Sequence, residues 1–189
     1  MNKFAFLEKI SALARIGINY SDNYFDKARY KEMLAACTEE YSEITGLDKT
    51  YFETVFKQEF GYITPKIGVN AVIFNENNQI LLEKRSDDNT WGLPGGWSDM
   101  GEGPKECTIR EVKEETGFEV EIVKFIDVFW RMPEEKYPYT SYHLAYLCKI
   151  VGGSLKVSPE SFDVAFWDID ADIVWHRDHK SYALSALNT

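Results

Sequence analysis

Glu111, Glu114 and Glu115 are the residues of this chain whose types and spacing most plainly point to chemistry. Positions three and four apart share one face of a helix, so Glu111 can meet both of the others. Like charges on that face repel. If the helix stops at Gly117, the carboxylates also lie where the helix dipole disfavours negative charge, by roughly 0.3–1 kcal/mol each at exposed sites. A hard divalent cation removes this conflict. Carboxylate oxygens suit Mg²⁺ or Mn²⁺, and Mg²⁺ commonly completes its shell with water and substrate phosphate. Arg110 can pair with Glu106 or Glu114 at helical spacing and hold a carboxylate in place. The alternative is a solvated acidic face with Arg110 and Lys113 as partners.

The residues ahead of the glutamates weigh against that alternative. Gly95, Gly96, Gly101 and Gly103 fall in one short segment that leads to Pro104. Proline is favoured at the first position of a helix. Residues without a β-carbon let backbone amides and carbonyls approach a ligand closely. The pattern predicts a glycine-rich loop that leads into a helix over residues 104–116.

Gly96, then Glu102 after five residues, then Arg110-Glu111-Val112, Glu114-Glu115, Gly117 and Phe118 after seven more together resemble the Nudix box, with every position matched. The resemblance implies a Nudix-type α/β/α sandwich with a mixed sheet. It also implies hydrolysis of the pyrophosphate linkage of a nucleoside diphosphate joined to a group X, with Mg²⁺ or Mn²⁺. By position, Glu111, Glu114 and Glu115 would be the metal-site carboxylates and the carbonyl of Gly95 a further ligand, while Glu102 and Arg110 would anchor the loop to the helix. The helical N-terminal region, residues 61–66 leading into the first strand, and Leu93-Pro94-Gly95-Gly96-Trp97 are similar to a subgroup with a helical extension that acts on CDP-choline. In that subgroup the extension contributes to dimerisation, and Tyr24-Phe25-Asp26 to Arg29-Tyr30 is similar in pattern. Pro133, fifteen residues beyond Phe118, is close to a spacing seen in ADP-ribose hydrolases and keeps that substrate open. A turn proline explains it equally well.

Other candidate residues come from residue chemistry alone. Glu160 is the first choice of general base, with Asp163, Glu134 and Glu135 as alternatives; any of these can equally be a surface carboxylate. Trp97, Trp130, Tyr137 and Tyr139 offer flat faces on which a base or sugar can stack, or simply pack the core and rim. His176 and His179 stand three apart with no cysteine near, and His143 is remote, so the histidines receive no role.

These residues need elements to position them. Residues 1 to about 62 read as helical, with apolar recurrence every three to four positions from Phe4 to Ile18. A second helix spans residues 24–45 and stops at Gly46. Asp48 caps a third over residues 50–60, ended by Gly61. After Pro65 the pattern becomes strand-like: residues 67–74, a turn at 75–78, and a partner strand at 79–84. Further strands are expected at 118–130, 142–151 and 164–167, with a partly helical tail over 169–187. The division is therefore a helical N-terminal domain, 1–64, and a hydrolase domain, 65–189.

Composition bounds the remaining choices. Of 189 residues 44% are hydrophobic, enough for one core with an appendage or for two small domains. A net charge of −10 gives no long-range attraction for nucleic acid or an anionic membrane. No secretory signal or membrane span is apparent, so the expected location is cytoplasmic. Cys37, Cys107 and Cys148 read as buried reduced thiols. A rival from another class is a nucleotide-binding or regulatory protein that keeps the fold without catalysis. Its mark would be a damaged box, and here every carboxylate is present.

Overall fold

The computed structural model describes residues 2–58 and 62–188. The chain divides into two compact units: residues 1–66 with 131–141, and residues 67–130 with 142–189.

In the first unit three helices follow one another: α1 (Lys3–Tyr20), α2 (Tyr24–Thr45) and α3 (Lys49–Gln58). Each begins where a short polar side chain accepts free amides of the first turn. Asn2 Oδ1 accepts from Ala5 N, Asn23 Oδ1 from Phe25 N and Asp26 N, and Asp48 Oδ1 from Thr50 N. Gly46 ends α2 in the left-handed conformation, with φ of 70°. The expected end of the third helix at Phe60 and Gly61 lies outside the described residues. Leu7, Cys37, Tyr41 and Phe52 form the core, Phe52 stacking on Tyr41 at 5.2 Å. Residues 131–141 join this unit through Asn2 Nδ2 donating to Pro133 O (3.0 Å), Lys66 N donating to Thr140 O (3.1 Å), and Thr140 N and Oγ1 donating to the Glu8 carboxylate.

The second unit contains the strands β1 (Lys66–Ile73), β2 (Ile80–Arg85), β3 (Trp91–Gly92), β4 (Phe118–Arg131), β5 (Ser141–Gly153) and β6 (Ser161–Trp167), apart from their terminal residues Lys66, Arg131 and Ser141, which fall within the first. Its helices are α4 (Pro104–Thr116) and α5 (His179–Leu187). β1 and β2 are apolar on both faces, the mark of strands covered on both sides. Val72, Ile80 and Leu82 pack with Tyr182, Ala183 and Ala186 of α5. Ala71, Ile73 and Leu81 pack with Val112 of α4. Alternation along each strand thus sends successive residues to opposite helices and produces an α/β/α sandwich.

Two features differ from the sequence reading. The strands form two three-stranded sheets, β1-β5-β4 and β3-β2-β6, so β2 does not extend along β1 as its partner. The reason is visible at β1, whose amides Val69 and Ala71 donate to Gly96 O and Pro94 O, while Ser98 N donates to Ile67 O. The 94–98 loop takes the place of a second strand there, and the hairpin is joined by the bridge Phe74–Ile80 and by Asn75 N donating to Gln79 O at 2.9 Å. The second difference is β3, a strand at a place where the sequence pattern marks none. Among the described residues no helix is long and apolar enough to cross a membrane. Cys37, Cys107 and Cys148 are buried and free.

Candidate active site

The loop before α4 is fixed at both ends. Pro94 O and Gly96 O accept from β1 on either side of Gly95, and Gly103 caps the helix with Pro104 following. Between them Arg110 clamps Glu102 with two bonds, Nη2 to Oε1 at 2.7 Å and Nε to Oε2 at 3.1 Å, and Glu102 Oε1 also accepts from Asp99 N at 2.9 Å. A guanidinium fork matched to a carboxylate gives direction as well as attraction. Hydrogen bonds from Arg110, then from the Asp99 amide, pull the Glu102 carboxyl down to about 2.

The three glutamates of α4 take different directions. Glu114 turns to solvent and pairs with Arg110 Nη1 at 2.9 Å. Glu111, with 13% of its side chain exposed, touches the same guanidinium at 3.1 Å and lies against Gly96, where an added β-carbon would come within 2.4 Å of Oε1. Glu115 Oε2 accepts from the Gly95 amide at 2.8 Å. Glu111 and Glu115 are therefore held against the glycine loop, and Glu114 is not.

A further carboxylate joins them from the sheet. Glu83 of β2 is 3% exposed and accepts from Ser161 Oγ of β6 at 2.6 Å. It follows Leu81 by two residues and so faces α4 as Leu81 does. Its signal in the sequence is a charged residue at a core position of an apolar strand. Burial first, and the neighbouring negative charges second, push these acids above the ordinary carboxylate range. Glu115 rises furthest, because of burial, Glu83 and Glu111. Glu83 rises mainly because of burial, with the Ser161 bond and Arg85 opposing and Glu111 and Glu160 adding to the rise. Glu111 rises mainly because of burial, with Arg110 opposing.

Glu83 and Glu115 open onto a cleft of about 380 Å³ whose other walls are Arg85, Ser86, Asp87, Pro159 and Glu160. Arg85 is the cation among these residues. It pairs with Asp87 through Nε to Oδ1 (3.0 Å) and Nη2 to Oδ2 (3.1 Å), and lies 3.8 Å from Glu83. Glu160 is thus at the cleft. Asp163 instead pairs with Lys84 along the β2–β6 ladder, on the sheet face opposite Glu83. Glu134, Glu135, Tyr137 and Tyr139 belong to the other unit, where all but Glu134 line a cavity of about 420 Å³. That unit has a second cavity of about 630 Å³, and neither includes a carboxylate of α4. Trp97 is bridged to Gly68 and leans on the His143 ring at 5.4 Å, half-exposed. Trp130, next to last in β4, is 61% exposed.

The donor chemistry fits a hard divalent cation: carboxylate oxygens predominate, their ionisation is opposed by burial and by one another, and a glycine loop brings backbone close. Among the described residues, no three Asp, Glu, His or Cys side chains are close enough together to ligate one ion. An ion here would depend on water and substrate oxygens for part of its shell, as Mg²⁺ commonly does.

Residues 64–180 match the NUDIX domain family. YjhB of Bacillus subtilis (strain 168), provisionally named an ADP-ribose pyrophosphatase, is 30% identical over 165 residues, which are 86% of this chain and 79% of that protein. The crystal structure of an ADP-ribose pyrophosphatase from Streptococcus suis is 28% identical and superposes with a TM-score of 0.55, over 67% of this chain and 94% of that one. The fold of a UDP-X diphosphatase superposes over 97% of this chain and 92% of that one, with a TM-score of 0.60 at 23% identity.

Proposed function

The chain belongs to the Nudix hydrolase family of pyrophosphohydrolases, and on that premise we propose that it hydrolyses nucleoside diphosphates linked to a group X, with ADP-ribose the first candidate and CDP-choline the second. One observation carries the reading: Glu111 and Glu115 are directed at the glycine loop, and Glu115 meets Glu83 at a cleft bearing Arg85. The YjhB and S. suis likenesses favour ADP-ribose.

Glu111 and Glu115, with the Gly95 carbonyl, would hold Mg²⁺ or Mn²⁺, and Glu114 would reach the site by releasing Arg110. Such an ion, when bound, neutralises phosphate charge and lowers the pKa of a coordinated water. The chain's own residues do the rest. Arg85 attracts a phosphate oxygen into an otherwise acidic cleft. Glu160 accepts the proton of the attacking water. A new P–O bond forms as the bridging P–O bond breaks, giving a nucleoside monophosphate and phosphorylated X. Trp97 and Trp130 offer faces for the base or sugar. The test is a phosphatase-coupled assay of ADP-ribose, CDP-choline, sugar nucleotides and nucleoside triphosphates with Mg²⁺ or Mn²⁺. Phosphate release from the diphosphate–X compounds is expected. Turnover of none of these with either metal would favour a binding or regulatory protein.

The same reading extends to assembly as a homodimer. On α1, Phe6, Leu13 and Tyr20 are exposed at seven-residue intervals, an apolar stripe of the kind that seats a second helix. Replacing Leu13 by Asp should shift the mass measured by light scattering from dimer to monomer. An unchanged mass removes this stripe from the interface.

A further inference from the structure

β3 is only two residues long and pairs with β2 at two positions, Glu83–Gly92 and Lys84–Trp91. The turn between these strands is closed by Arg85 N donating to Thr90 O (2.9 Å) and Asn89 N to Arg85 O (3.1 Å), with Asn89 left-handed at φ of 59°. Its outer residues are exposed, and Ser86 and Asp87 form one wall of the cleft. So short a ladder holds such a turn weakly, because few backbone bonds close it.

The chain beyond β6 supplies what the ladder lacks. Trp91 N donates to Val174 O at 2.8 Å and His176 N to Trp91 O at 2.7 Å, so this segment runs along β3. The His176 ring, 4% exposed, sets Nδ1 2.9 Å from Asp88 Oδ2 and 3.2 Å from Thr90 Oγ1. Asp88 Oδ1 accepts from Thr90 N (3.1 Å) and Thr90 Oγ1 (2.5 Å). With both Asp88 oxygens acting as acceptors, Nδ1 carries the proton and donates. Burial works against ionisation of Asp88, but the Thr90 bonds and His176 outweigh it and hold the carboxylate low.

We propose that His176, through Asp88, is a positioning residue for the reaction: it latches the 85–90 turn so that Arg85 and Asp87 face the cleft. The latch rests on the pyrophosphohydrolase reading above. It does not touch substrate. It acts on the backbone that carries Arg85, whose place in the cleft decides how well a phosphate is received. Small displacements of a binding group weaken substrate binding without removing the metal-site acids, so the effect falls on KM more than on kcat.

The test measures kcat and KM on the best diphosphate substrate of the parent, well below the melting point of each variant. His176→Ala should raise KM about tenfold with kcat within about threefold. His176→Asn places an amide N–H near the position of Nδ1 and should return KM to within about threefold of the parent. Asp88→Ala should raise KM as His176→Ala does, and the double variant no further than either single one, because all break one contact. A merely structural histidine would lower the melting temperature and leave the KM of the folded enzyme unchanged, which would overturn the proposal. An Asn variant as impaired as the Ala variant would also overturn it, since ring volume rather than the donated bond would then matter. If the parent hydrolyses no diphosphate substrate, it is the functional reading that fails.

Discussion

Glu115→Gln should lower turnover by roughly 10²- to 10³-fold, the loss expected when several kcal/mol of transition-state stabilisation disappear, and should at the same time make the metal-free protein harder to unfold. Glu115 donates nothing to its neighbours; its Oε2 accepts from Gly95 N, and the amide oxygen of glutamine can accept the same bond. What the substitution removes is a negative charge that burial, Glu83 and Glu111 all oppose. A carboxyl whose folded value is raised binds its proton more tightly in the native state than in the unfolded one. Its destabilising effect is therefore absent below the unfolded value near 4.5, grows as pH rises, and is complete above the raised folded value. The melting temperature of Glu115→Gln should thus match the parent's in acid and exceed it in alkali. A gain near 1 kcal/mol would appear as about 2–4 °C in a chain of this size. Excess Mg²⁺ should then stabilise the parent more than the variant, because binding to the native state alone raises stability. Melting curves at pH 5 and pH 9, with and without Mg²⁺, check each sign. A variant that stays active within a few-fold removes Glu115 from the metal site.

Gly96→Ala and Gly95→Ala should fail in opposite ways, although the residues are neighbours. At Gly96 an added β-carbon would come within 2.4 Å of Glu111 Oε1, the free end of a flexible side chain. The carboxylate can swing aside, so the fold should survive with a cost of about 1 kcal/mol or less, while activity falls about 10²-fold because a donor has left its place. At Gly95, with φ of 151°, the added carbon would come within 2.1 Å of Val69 O, in the backbone of β1. Neither partner can move without breaking the pairing of the loop with β1, so stability should fall by about 3 kcal/mol. Denaturant titration and kcat on the folded fraction separate the two outcomes. Full activity in Gly96→Ala would show that Glu111 does not need the position it holds.

Both predictions use geometry that the chain announces only in part. The glycine loop, the proline at the start of α4, Gly117 at its end and the spacing of Glu111, Glu114 and Glu115 are local facts, since a helix converts sequence separation directly into direction. The apolar runs of β1 and β2 are likewise local, and they mark strands covered on both faces, as the layered α/β/α architecture requires. The family pattern lies wholly within such local relations, which is why it was legible.

Tertiary structure decided what depends on separations no local repeat encodes. It selected among the glutamates: Arg110, already committed to Glu102, draws Glu114 outward and leaves Glu111 and Glu115 at the loop. It brought Glu83 beside Glu115 through the β2–β6 register and Ser161, 78 residues away in sequence. It placed Glu160 at the cleft and assigned Tyr137 to the helical unit, because residues 131–141 bond to Asn2, Glu8 and Lys66 rather than follow their neighbours in sequence. It also gave His176, which sequence spacing left without a role, a buried acidic partner 88 residues away. The sequence by itself determined the chemistry of α4 and its loop, because period and spacing act within one element. Only the tertiary structure decided which carboxylates meet and what lines the cleft, because those depend on hydrogen-bond register and packing between elements far apart along the chain.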